Sequence, residues 1–172
     1  LVADVLTHTA TQNPTLPVEA FSRNLRQSAG ATPLPRLGEG RVLISPGAES
    51  RLLYSESTNA MQDFLGKRLA LWSNLNLLDD VPKVNGSSTL QLREQADVQR
   101  LIYGTNRIGR GLLDFLGVSH FSPAQNPTEW IRREGFCPLV TCGQQPVFAT
   151  SDERLTALPG EFVAVISDSE AG

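Results

Sequence analysis

Cysteine, lysine, histidine and methionine are all scarce in this 172-residue chain, and each scarcity removes a class of chemistry. Cys137 and Cys142 are too few for a disulfide scaffold. An odd offset along one strand points them to opposite faces, so both are expected as free thiols of a reducing, cytoplasmic compartment. Two cysteines with no nearby histidine cannot complete a zinc site, and His8 and His120 lie far apart, so neither a metal nor a cofactor is expected. Long apolar runs are missing too. Phe162 to Ile166 is far too short to cross a bilayer, and the N-terminus lacks a signal peptide's basic start and apolar stretch. Basic charge is also in deficit, with 15 Lys and Arg against 18 Asp and Glu, a net charge of −3. That balance argues against a nucleic-acid partner, which needs a dense basic surface.

What remains is the composition of a soluble globular protein, 40% hydrophobic and 19% charged. Its length suits one domain over residues 1–172 that buries a core without covalent help. The chain opens at Leu1 rather than Met, which is read as a removed segment or as a piece of a longer protein. Among the cations the skew is strong, with only Lys67 and Lys83 set against 13 arginines. Arginine forks hold carboxylates or phosphates in bidentate geometry, while solvated surface pairing is the plainer explanation for most of them.

Residues 1–40 read as a loosely structured N-terminal segment, with Val18, Phe21 and Leu25 marking a short helix over 17–28 and a Pro/Gly loop over 30–40. Arg41 to Ser45 and Arg51 to Glu56 are β-prone runs around Pro46-Gly47, which predicts a β-hairpin. Met61, Phe64, Leu65, Leu69, Trp72 and Leu75 recur at helical spacing, which predicts an amphipathic helix over 59–75. Asp79 to Ser88 reads as a polar loop. A second apolar stripe over 95–117, interrupted by Gly104, Gly109 and Gly111, predicts two helical pieces. Asn126-Pro127 with Glu129 predicts a capped helix through Arg133. The apolar runs Phe136 to Cys142, Gln145 to Ala149 and Glu161 to Ile166 predict strands joined by turns. The fold class expected is therefore α+β, an antiparallel sheet with helices packed on one face.

Candidate chemistry is thin. Ser119-His120 with Asp114 contains the members of a nucleophilic set but not the Gly-x-Ser-x-Gly elbow. The glycines from Gly104 to Gly111 could cradle an anion, yet no Gly-Lys-Ser/Thr ending follows, and a kinked helix explains them as well. Arg41, Arg51, Arg132 and Arg133 adjoin predicted sheet, where convergence would form a pocket for a carboxylated ligand. Surface pairing with Glu39, Glu49, Glu129 and Glu134 is the competing reading. Asp152 and Glu153 follow the strand ending at Ala149 and are the nearest acids able to donate a proton.

Several of these features resemble the chorismate pyruvate-lyase family. They are Pro35-Arg36-Leu37 before Arg41 to Ile44, Arg51 to Ser57, the helix from Leu65 to Leu71, and Trp130 to Arg133 followed by Gly143 to Phe148. The resemblance implies an antiparallel-sheet domain that releases pyruvate from a chorismate-like substrate without a cofactor. Arg41 and Arg132 or Arg133 would then hold the substrate carboxylates, and Asp152 or Glu153 would protonate the leaving enolpyruvyl group. Cys142 to Ala149, Asp152 to Leu155 and Leu158 to Ile166 are similar to the end of the C-terminal regulatory domains of potassium channels and cation antiporters. That similarity implies a cytoplasmic, ligand-sensing module that forms a homodimer. A non-catalytic interaction domain is the third expectation.

Overall fold

The computed structural model describes residues 15–23, 25–55, 57–87, 90–104, 108–137, 139–140, 147–148, 150, 152–153, 156 and 165–166. Helices α1 (Leu25–Ser28), α2 (Pro46–Leu53), α3 (Ala60–Leu69), α4 (Arg93–Tyr103) and α5 (Arg110–Phe115) accompany strands β1 (Arg41–Ile44), β2 (Val118–Ser122) and β3 (Ile131–Arg132). A separate pair comprises β4 (Val147–Phe148) and β5 (Val165–Ile166).

The sheet is mixed rather than antiparallel. β1 and β2 run parallel, with Val42 opposite His120 and Ile44 opposite Ser122, and β3 joins β2 antiparallel through His120 and Arg132. A parallel neighbour requires a long crossover, and residues 45–117 supply it. Residues 82–84 lie along the other side of β1: the Val42 N–H donates to the Pro82 carbonyl at 2.9 Å and the Val84 N–H to the Val42 carbonyl at 3.0 Å. β4 and β5 are parallel as well, pairing Val147 with Val165 and Phe148 with Ile166. The expected turns between these C-terminal runs, at Gly143-Gln144 and Leu158-Pro159-Gly160, lie outside the described residues.

Helices cover both faces of the sheet, not one. The reason is legible in β1, whose Val42, Leu43 and Ile44 are all buried. Alternation sends Val42 and Ile44 to a cluster with Ala48 and Leu52 of α2, Ala70, Leu71 and Trp130, while Leu43 joins Ile102, Leu112, Leu116 and Val118 on the other side. Continuous burial of this kind is the habit of parallel strands covered on both faces.

The predicted hairpin at 41–56 is replaced by β1 followed by α2. Pro46 occupies the start of that helix, where its missing N–H costs nothing, and the Ser45 hydroxyl accepts the Ala48 N–H at 3.3 Å. The long helix over 59–75 ends at Leu69, because Leu71 and Ser73 turn left-handed at φ 55°. The two helical pieces over 95–117 are present as α4 and α5, and Gly117 closes α5 at φ 63°, the left-handed position after a helix end. The predicted helix over 126–133 is a turn leading into β3 instead: Thr128 Oγ1 donates to Asn126 Oδ1 at 2.8 Å and the Glu129 N–H to the Asn126 carbonyl at 3.1 Å. The N-terminal helix is reduced to a 3-10 turn, Val18–Phe21, and the single turn of α1. Even so, this segment is tied down, since Arg68 donates to the carbonyls of Ala20 and Ser22.

Candidate functional site

A cleft of about 630 Å³ opens beyond the C-terminal end of β1, between the start of α2, the turn at 72–73, the segment 83–87 and α4. Ligand sites favour this end of parallel strands, where loops diverge. Lys83 is carried in by the segment paired to β1, and its Nζ donates to the Leu71 carbonyl at 2.8 Å and to the Ser73 carbonyl. Both acceptors belong to the residues with left-handed backbones. Conformations of this kind persist where surrounding contacts over-determine them, and they cluster at functional sites. An ammonium has three N–H donors, so one remains for a ligand.

Burial lowers the Lys83 pKa to about 8, and the nearby Glu49 carboxylate only partly restores it. Tyr103, projecting from α4, is shifted the other way. Burial pushes its phenol well above the usual value, the Glu49 charge and a hydrogen bond with Glu49 add to that, and the Asn85 amide opposes it. Asn85 Nδ2 donates to the phenol oxygen at 2.5 Å. The buried Asn85 Oδ1 has no hydrogen-bond partner among the described residues. The cleft thus holds a cation of lowered pKa, a phenol kept protonated, the Glu49 carboxyl group and an unused acceptor, beside Trp72 and Tyr54. Paired groups with pKa values driven apart are the raw material of acid–base chemistry.

Arg41, Arg132, Arg133, Asp152 and Glu153, the site residues expected from the sequence, do not line this cleft. Arg41 and Arg133 bracket the start of β2: Arg41 lies opposite Val118, with its Nη1 donating to the Leu116 carbonyl at 3.3 Å, and Arg133 Nη1 donates to the Val118 carbonyl at 2.8 Å. Arg133 is further committed to Asp114 at 2.8 Å, the two side chains being 10% and 13% exposed. Arg132 is exposed on β3 opposite His120, where its charge adds to the burial that lowers the histidine's pKa. Glu153 closes a capping turn, accepting the Thr150 N–H at 2.9 Å and the Thr150 hydroxyl at 2.8 Å. Those bonds hold its carboxyl below the usual range, which favours an acceptor over a proton donor. Asp152 starts the same turn, its carbonyl accepting from Thr156 Oγ1 at 2.9 Å. Ser119 and His120 do meet, Oγ to Nδ1 at 3.0 Å, but Asp114 is engaged by Arg133 instead of completing a triad.

The sequence reading did not bring Lys83, Glu49, Asn85 and Tyr103 together because they come from three separate segments, α2, residues 83–87 and α4. The one available signal was rarity: Lys83 is one of two lysines in a chain that otherwise uses arginine, and lysine is the cation whose pKa moves readily on burial. Cys137 is a free thiol, and Cys142 lies outside the described residues. Among the described residues no helix is long and apolar enough to cross a membrane. Comparison with protein-family models, characterised proteins and solved structures yields no match.

Proposed function

We propose that this chain is a cofactor-independent lyase of the reducing cytoplasm acting on a small carboxylated, hydroxylated substrate bound in the β1 cleft. The observation that carries the reading is Lys83, a partly buried ammonium with one free donor and a pKa lowered to about 8 in a polar cleft. Its positive charge suits a substrate carboxylate, and Glu49 beside it disfavours a second negative charge there and suits a hydroxyl donor. Trp72 and Tyr54 offer flat walls for a ring. A chorismate-like substrate combines these features. Its cleavage breaks the ether C–O bond, releases one ring proton and adds one proton to the enolpyruvyl fragment, so it balances without oxidant or cofactor. In this reading Lys83 keeps its proton and holds the substrate carboxylate, the Glu49 carboxylate accepts the ring proton, and Tyr103 orients the hydroxyl. Arg41 and Arg132 are left for steering the anion towards the protein.

The reading is tested by titrating the purified chain with chorismate and 4-hydroxybenzoate and by following pyruvate release. Binding lost in Lys83→Met and kept in Arg133→Lys supports it. Equal turnover in wild type and Lys83→Met would remove Lys83 from the reaction.

A further inference from the structure

Two buried arginines, Arg68 of α3 and Arg26 of α1, have unequal surroundings. Arg68, fully buried, engages all three guanidinium nitrogens: it donates to the carbonyls of Ala20 and Ser22 and to both oxygens of Asp79, at 3.3 and 3.0 Å. Arg26, 7% exposed, uses Nη1 on the Leu69 carbonyl at 2.5 Å, while its buried Nη2 has no partner among the described residues. Arg26 lines a second cavity of about 560 Å³, walled by the loop containing Pro33 and Pro35 and sharing no residue with the β1 cleft.

Two further arginines line the same cavity. Arg36 is exposed and has no side-chain partner among the described residues, while Arg23 makes an exposed pair with Asp80 at 3.3 Å. Exposed pairs of this kind are weak and exchange readily. Asp79 also borders the cavity but is committed to Arg68. Three guanidinium groups therefore face two carboxylates, one of them already neutralised, and a buried donor lacks an acceptor among the described residues.

We propose that this cavity is a binding site for a small oxyanion, a phosphate or a carboxylate, received by Arg26 Nη2 and closed over by Arg36 and Arg23. The planar fork of arginine matches both oxyanions, and a desolvated donor gains most from a charged acceptor. The site is independent of the lyase reading.

Titration of the full 172-residue chain with inorganic phosphate and, separately, with succinate tests the proposal, with chloride at matched ionic strength as the baseline. Saturable binding of either probe is expected, weakened about tenfold or more in Arg26→Gln and several-fold in Arg36→Ala. Lys83→Met should leave it unchanged, which separates this site from the β1 cleft. Phosphate binding without succinate binding assigns a phosphate site, and the reverse assigns a carboxylate site. Absence of saturable binding by both probes, or affinities equal to wild type in Arg36→Ala, which alters only an exposed side chain, would overturn the proposal.

Discussion

Lys83 Nζ lies 2.8 Å from the carbonyl oxygen of Leu71, a core residue whose backbone is left-handed at φ 55°. The ammonium thereby ties the turn that ends α3 to the segment paired with β1, and the same atom faces the candidate cleft.

Stability should therefore depend on pH through Lys83. Its pKa is about 8 when folded and about 10.4 when unfolded, so between those values the unfolded chain holds the extra proton. Stability is expected to rise with pH across that window, by up to about 3 kcal/mol. Tyr103 acts with the opposite sign: its folded pKa lies above the unfolded value, so its contribution is present below about pH 10 and is lost as pH rises further. Urea melts from about pH 7 to about pH 10 on wild type and Lys83→Met measure this. Parallel profiles for the two proteins would refute it.

His120 should weaken the fold in acid. Burial and the charge of Arg132 depress its pKa, so its contribution is present above the unfolded value of about 6.5 and is lost as pH falls below that. In Arg132→Gln the imidazole midpoint, followed by NMR, is expected to move up, with a smaller loss of stability in acid. A midpoint that stays in place would show that burial alone sets it.

The Arg68–Asp79 pair joins side chains that are 0% and 5% exposed, and Arg68 also holds the N-terminal segment. Arg68→Met strands Asp79 and leaves two carbonyls without their donor, so a loss of about 3–5 kcal/mol is expected in chemical denaturation. Adding Asp79→Leu should recover part of that loss, because the stranded charge is gone. A single variant as stable as wild type would mean that the pair merely fills space.

Ser45→Ala removes the side-chain acceptor of the Ala48 N–H at the start of α2. A cost of about 1 kcal/mol is expected, and Ser45→Asp should retain most of the stability. Equal losses in both variants would place the effect in packing instead of capping.

Much of this molecule could be read along the chain. Local chemistry determined α3 within the stripe over 59–75, though not its end at Leu69, and α4 and α5 with the break between them, because spacing and glycine act within a few residues. Ser45-Pro46 shows where local reading fails: Pro-Gly suits a hairpin turn, and Pro after Ser equally suits a helix start. Burial of Ile44 and Leu52 around that junction decided for the helix. Whether β1 pairs parallel or antiparallel is set by which strand returns beside it, and that strand comes from residue 118 onwards. The arginines suggested an anion site, but they could not say which ones share a cavity. Tertiary packing committed Arg133 to Asp114, left Arg26 with an unused donor beside Arg23 and Arg36, and brought Lys83, Glu49, Asn85 and Tyr103 from three segments into one cleft. Residue type and spacing are local properties of the chain, whereas desolvation and convergence exist only once distant segments exclude water together.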